Sequence, residues 1–180
     1  MAASTQSRAA STAPVITVVG TSGAGKTTLI EKLVPALQGR GWKVACIKHT
    51  HHTIPAAWPT GKDSERFVAA GAPVVALCGP GGTFVNFKAE LLPEFLAYQW
   101  GKALDLIIAE GYQSSSFPKI EVVRAAHDPL LRTFPRELLA LVTDLPELAP
   151  HPVPAFDFDA LTPLSEHIER VVLCNPHRPD

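Results

Sequence analysis

The stretch VITVVGTSGAGKTTLI, residues 15–30, decides the fold. Val15 to Val19 is a β-branched run of the kind found in a strand buried on both faces. Three glycines follow within six residues, and then Leu29, Ile30, Leu33 and Leu37 recur at helical spacing. Gly20 to Thr27 satisfies G-x-x-x-x-G-K-[ST] at every fixed position. Glycines there let the backbone aim successive N–H groups inward, so the turn becomes an anion nest at a helix N-terminus. On this reading the stretch from Gly20 to Thr27 grips the phosphates of a nucleoside triphosphate. Lys26 brings a point charge to the β and γ phosphates, and the Thr27 hydroxyl is a hard oxygen ligand for Mg²⁺. A glycine-rich turn without a ligand is the bland alternative. The strand before it and the helix after it are the context the phosphate-binding motif demands.

Outward from this loop, apolar runs and helical patterns alternate. Trp42 to Lys48 reads as a second strand and Val74 to Cys78 as a third, with a turn into Thr83-Phe84-Val85 as its hairpin partner. Leu104 to Ala109, Ile120 to Val123 and Leu138 to Val142 read as further strands. Helical stretches fall at 62–70, 91–100 and 164–173, and Pro35 predicts a mild kink in the first helix. Such alternation implies an α/β, three-layer P-loop NTPase fold, with a mostly parallel sheet flanked by helices on both faces. The expected domain spans residues 14–175, with a small-residue tail at 1–13 and a short C-terminal tail at 176–180.

The whole chain agrees with that class. Its 180 residues suffice for one compact domain with a real core. Apolar residues make up 46% and charged ones 18%, with a formal net charge of −1. That balance gives no electrostatic reason to expect nucleic acid or an anionic membrane surface as partner. The apolar runs are too short for a membrane span, and residues 1–13 lack the apolar core of a secretory signal. Cys46, Cys78 and Cys174 are far apart and set in apolar runs, so at least two are expected to be buried thiols in a reducing, cytoplasmic setting.

A phosphate loop needs an acidic partner at the end of a nearby strand. Leu106 to Ala109 followed by Glu110 supplies one, making Thr27 and Glu110 the expected metal pair. Asp105, at the other end of the same run, is read as a structural or surface carboxylate. Asp63 follows the irregular 49–61 segment as a switch residue would; a helix N-terminal acid is the alternative. His49, His51 and His52 cluster after the second strand, and three readings stay open: lining the ligand cleft, binding a transition metal, or simple solvation. Asp144 ends the Leu138–Val142 strand region and is a candidate acceptor for guanine N1–H and N2–H. The expected Asn-Lys pair is replaced by Leu141-Val142, so turn-capping is the competing reading. Arg124, Arg132 and Arg136 flank this region, either facing an anion or standing on the surface.

Taken in order, GTSGAGKTTLIEKLVPAL, KHTHH, GKDSERFVAAGAP and DLIIAEGYQSSSFPKIEVVR resemble the molybdopterin-guanine dinucleotide biosynthesis protein B family, MobB, from about residue 15 to 170. The resemblance implies a GTP-binding accessory protein with weak GTPase activity in molybdenum cofactor biosynthesis. It implies phosphate contacts from Gly23, Ala24, Gly25, Lys26, Thr27 and Thr28, Mg²⁺ at Thr27 and Glu110, and a catalytic set of Lys26, Glu110 and Asp63. His49, His51 and Lys62 become cleft residues. The implied partners are a MobA-type guanylyltransferase, a second copy of the chain, and molybdopterin as a further candidate ligand.

Three other classes compete. A nickel metallochaperone GTPase would welcome the histidines, but the His-rich tail and Cys motif usual there are missing from the sequence. A small-molecule kinase would use Arg124, Arg132 and Arg136 as a lid. A partitioning ATPase carries lysine just after the first loop glycine, where this chain has Thr21.

Overall fold

The computed structural model describes residues 12–50, 52, 63–148 and 152–174, the Asp63 side chain apart. Within these bounds the β-branched runs become strands β1 (Val15–Val19), β2 (Val44–Lys48), β5 (Leu106–Glu110), β6 (Lys119–Val123), β7 (Leu138–Thr143) and β8 (Ala155–Phe156). They form one sheet in the order β2-β5-β1-β6-β7-β8. Every neighbouring pair in it is parallel. Consecutive elements return to the same edge, so the carboxyl ends of all six strands open on one side.

Side chains alternate across the sheet. Ile16, Val18, Leu106, Ile108, Ile120, Val122, Ala140 and Val142 pack into one core. Above them lie α1 (Lys26–Gly39) through Leu29, Leu33 and Leu37, and α4 (Leu161–Ile168) through Leu164 and Ile168. Val15, Ile107 and Ala109 face the other way, against Ala97 of α3 (Pro93–Trp100). The expected three-layer arrangement is present. Helix α1 runs unbroken through Pro35, and α4 closes in a wider π turn over Glu169–Leu173.

Beneath β6 the second face is covered by loops, not a helix. Lys119, completely buried, donates from Nζ to the carbonyls of Ser115 and Phe117 and to Glu137 Oε2. Glu121, also buried, accepts from the backbone N–H groups of Arg132 (2.8 Å) and Thr133 (2.9 Å). Two charges inside a strand thus anchor the loops on either side of it. Buried charge is tolerated when hydrogen-bonded in this way.

Apart from this body stand α2 (Asp63–Ala69) and a hairpin of β3 (Val74–Gly79) and β4 (Gly82–Phe87). The expected hairpin is confirmed, and it pairs only with itself among the described residues. The cysteines correct the expectation of buried thiols: all three are exposed. Cys46 lies on the outermost strand β2, Cys78 on the hairpin, and Cys174 just past the last turn. An apolar run at a sheet edge or in a detached hairpin does not become core.

Replacing Glu121 by alanine strands two backbone donors. The Glu121→Ala chain should lose about 1–3 kcal/mol of stability by urea unfolding, the cost of leaving a buried N–H unpaired. A midpoint unchanged from the parent chain would show that the 128–134 loop does not depend on this carboxylate.

Candidate nucleotide site

The site is built where β1 turns into α1. Gly20 has φ 134°, and a Cβ there would lie 2.3 Å from the Val122 carbonyl oxygen, so only glycine lets the turn pass under β6. Gly25 caps α1 in the left-handed region at φ 98°. The helix starts with no side-chain cap and no acidic residue in its first turn. Its first N–H groups therefore point into the cleft without an anion of the chain's own, which is the electrostatic definition of an anion site. Ala24 is fully buried, and His127 packs over Gly23, where an added Cβ would sit 2.9 Å from His127 Cε1.

Lys26 arches back over the loop, and its Nζ donates to the carbonyls of Gly20 (2.9 Å) and Thr21 (2.7 Å). Burial holds its ammonium below the ordinary lysine value; Glu110 opposes that shift and Lys48 reinforces it. One residue along, Thr27 donates from Oγ1 to Glu110 Oε2 at 2.8 Å. Lys48 Nζ takes the other Glu110 oxygen at 3.0 Å. Parallel pairing places Lys48 directly beside Glu110, the two being register partners at the ends of β2 and β5.

Glu110 is largely buried (14% exposed), which alone would raise its pKa. The hydrogen bonds from Lys48 and Thr27 and the charges of Lys48 and Lys26 outweigh this and hold the carboxyl below its usual value. An ionised carboxylate beside a hydroxyl that donates to it, and so keeps lone pairs to spare, is a donor set of hard oxygens suited to Mg²⁺. The residues fit the ion. Thr27 would be its direct ligand and Glu110 its charge partner.

A cleft of about 770 Å³ opens from this point. Gly20, Ser22 and Lys26 form one wall, His49, Thr50 and His52 a second, and the 110–117 loop a third. In that loop Gly111 and Tyr112 both have positive φ, at 94° and 56°. For tyrosine this is a strained conformation that its surroundings must enforce. The Tyr112 ring packs on His49, with centroids 4.9 Å apart. Burial, then Glu90 and Glu94, push the Tyr112 pKa up. His49 Nε2 lies 3.8 Å from Glu90 Oε1.

The structure thus brings together Gly23, Ala24, Gly25, Lys26, Thr27, Thr28, Glu110 and His49. His51 and Lys62 lie outside the described residues, and of Asp63 only its place as the first residue of α2 is described. Among the described residues no three of His, Cys, Asp and Glu are grouped to hold a metal ion. Asp105 accepts from the Lys43 N–H, the structural role expected of it. Asp144 stands away from the phosphate cleft. Its Oδ1 accepts from the Ala125 N–H at 2.9 Å, the turn-capping bond, and it lines a second pocket of about 200 Å³ with Asp157. Arg132 pairs with Asp128 and Arg136 is exposed beside Glu137, so neither reaches the phosphate loop; Arg124 does, packing near Gly25. Sequence reading missed Lys48. Its only signal was a cation ending one strand as Glu110 ends another, which carries meaning once the strands are known to be neighbours.

Residues 15–144 match the family described as MobB, molybdopterin guanine dinucleotide synthesis protein B. The chain is 36% identical over 140 residues to the molybdopterin-guanine dinucleotide biosynthesis adapter protein of Escherichia coli, covering 74% of this chain and 79% of that one. It is 35% identical over 136 residues to the Haemophilus influenzae protein of the same description, covering 74% and 76%. Among solved structures, Bacillus subtilis MobB superposes with a TM-score of 0.66 at 26% identity, over 86% of this chain and 97% of that one. A MobB homologue from Bacillus stearothermophilus gives 0.58, also at 26% identity, over 87% and 98%.

The geometry around Glu110 sets a pH dependence. Its folded pKa is depressed, so it contributes stability that is complete above its ordinary value near 4.5 and is lost as pH falls through the lower folded value. The gap in urea midpoint between the parent chain and Glu110→Gln should therefore be widest near neutrality and close in acid. A gap that widens on acidification would contradict an ionised, hydrogen-bonded Glu110.

Proposed function

The chain belongs to the MobB family, and from that membership we propose that it is the GTP-binding adapter of molybdopterin guanine dinucleotide assembly. It holds GTP and Mg²⁺ for a MobA-type guanylyltransferase partner in the cytoplasm. The observation that carries this reading is the cluster at the start of α1: an uncapped helix N-terminus, Lys26 above it, and Thr27 hydrogen-bonded to an ionised Glu110. No helix among the described residues is long and apolar enough to cross a membrane.

In this proposal the backbone N–H groups of Gly23 to Thr28 and the Lys26 ammonium bind the phosphates. Mg²⁺ supplies charge to the β and γ oxygens when bound, with Thr27 and Glu110 as its protein partners. Lys48 keeps Glu110 ionised and oriented. Lys62 and Asp63 keep the cleft and switch roles read from the sequence, and the wall formed by His49, Tyr112 and the 113–117 loop is where molybdopterin would approach. The catalytic set is thin. Among the described residues the lining of this cleft includes no arginine, Arg124 meeting the loop at Gly25 instead, and Gln113, which does line it, is hydrogen-bonded to Thr133. A missing arginine finger alone is worth about 10³–10⁵ in rate. Hydrolysis by the chain alone is therefore slow, and the partner draws on the bound nucleotide.

The hairpin supports a homodimer. Leu77 and Phe84 face each other across it, and Val74, Val85, Phe87 and Phe67 of α2 are exposed as well. By this register Leu77 and Phe84 lie on one face and Val74, Val85 and Phe87 on the other. Exposed apolar surface on a hairpin that pairs only with itself among the described residues asks for a partner, and a second copy offers the same surface by symmetry.

Two experiments test these points. In Mg²⁺ buffer GTP should bind in preference to ATP, and Lys26→Ala should abolish binding of either while the circular dichroism stays unchanged. Unaltered affinity in Lys26→Ala would remove the phosphate assignment, and turnover of several GTP per second by the chain alone would remove the adapter reading. Substituting Leu77 and Phe84 together by threonine retains strand propensity and a favourable cross-strand pair but strips the apolar side chains from that face of the hairpin. Light scattering should then report a monomer where the parent chain is a dimer; a dimer that survives assigns the interface elsewhere.

A further inference from the structure

Glu110 divides two cavities. On one side is the phosphate cleft, which it lines together with Lys26. On the other is a cavity of about 420 Å³ at the outer edge of the sheet, which it lines with Thr27, Cys46 and Lys48. Lys48 reaches Glu110 from this outer side, and it also borders a third cavity, of about 490 Å³, with His49, Lys88 and Glu90. The two members of the pair are unequal. The Glu110 side chain is 14% exposed and tied to Thr27 as well, whereas that of Lys48 is 63% exposed. An ion pair so open to water on one side contributes little net stability, so the carboxylate is fixed and the ammonium is the partner that can move.

The charges around Thr27 do not balance. Two ammonium groups, Lys26 and Lys48, face one carboxylate. The cations also feel each other: burial lowers the Lys26 pKa against the pull of Glu110, and the charge of Lys48 lowers it further. Both Glu110 oxygens are taken, Oε2 by the Thr27 hydroxyl at 2.8 Å and Oε1 by Lys48 Nζ at 3.0 Å. A bare divalent ion would add to the positive excess and meet a carboxylate already neutralised. A metal–triphosphate, being an anion, would relieve the excess.

We propose that Lys48 is the counter-cation of the empty site, whose ammonium occupies Glu110 in place of a divalent ion and leaves it for the incoming triphosphate when metal and nucleotide load together. The proposal rests on the reading of the α1 N-terminus as a triphosphate site with Thr27 and Glu110 toward the metal. Lysine suits such an exchange. Its compact ammonium rides on a flexible four-carbon stem, and the cavities on either side leave the stem room to swing without moving β2. Lys48 thus keeps Glu110 ionised while the site is empty, opposes the metal there, and favours the anion.

The test is calorimetric titration of the full chain with GTP, once in excess Mg²⁺ and once in EDTA. The ratio of the two affinities is the Mg²⁺ enhancement. Lys48→Met keeps the alkyl stem and removes the ammonium, and Lys48→Gln stands in if that chain does not fold. Either should bind metal-free GTP more weakly and raise the enhancement by about tenfold or more, the scale of removing one unit charge beside a metal site. Lys88→Met removes a cation of the third cavity instead and should leave the enhancement at the parent value. An enhancement that falls in Lys48→Met would make the lysine a support for the metal and overturn the exchange, as would an unchanged one. An equal rise in Lys88→Met would reduce the effect to net charge and overturn it too. Metal-free GTP bound as tightly by Lys48→Met as by the parent overturns it as well, leaving the triphosphate site standing. A parent chain that binds GTP neither with Mg²⁺ nor without it removes the triphosphate site itself.

Discussion

A helix that begins without a capping side chain leaves its first N–H groups in need of acceptors, and α1 begins that way at the carboxyl edge of the central strand. Everything around it responds to that concentration of positive potential. Gly20 can turn only because nothing projects toward the Val122 carbonyl. Lys26 spends two hydrogen bonds on the carbonyls of the loop it crosses and so stays above the nest. Glu110 is the counter-charge, kept ionised by Lys48 and Thr27.

Parallel pairing turns this local demand into a site. When all six strands run the same way their carboxyl ends share one edge, and residues distant in sequence become neighbours there. Lys48 meets Glu110 because β2 and β5 are in register. Arg124 meets Gly25 because β6 lies beside β1. Asp144 caps Ala125 because β7 lies beside β6. Sheet order therefore divides the edge into an end at β2–β5–β1 that carries Lys26, Thr27, Lys48 and Glu110 and an end at β6–β8 that carries Arg124, Asp144 and Asp157.

That division explains what could be read in advance. The β1 strand, the glycine turn and the face of α1 are contiguous in sequence, so their periodicity and spacing were enough. Glu110 was legible because an apolar run ending in an acid is a local pattern. The Lys48–Glu110 pair was not, because it exists only through strand adjacency, across 62 residues. The stacking of Arg124 on the Phe158 ring is non-local in the same way. Asp144 shows the opposite limit. Its position was read correctly from the strand end, but its bond to Ala125 depends on a neighbour that no motif specifies. The cysteines failed for a related reason: apolar context does not distinguish a central strand from an edge strand or a lone hairpin.

The buried charges on β6 bear on how rigid the cleft can be. Lys119 and Glu121 sit in a strand where apolar residues would pack at no desolvation cost, so their presence is weak grounds for stability as such. Their bonds run instead to loop backbone: Lys119 to the carbonyls of Ser115 and Phe117, and Glu121 to the N–H groups before and at Thr133. Because a lost partner would leave a charge buried and unpaired, each bond holds its loop far more tightly than an exposed contact would. The 113–117 loop, which continues from the strained Gly111-Tyr112 turn, is thereby fixed at its far end as firmly as Glu110 fixes its near end. A wall pinned at both ends favours one cleft shape over several.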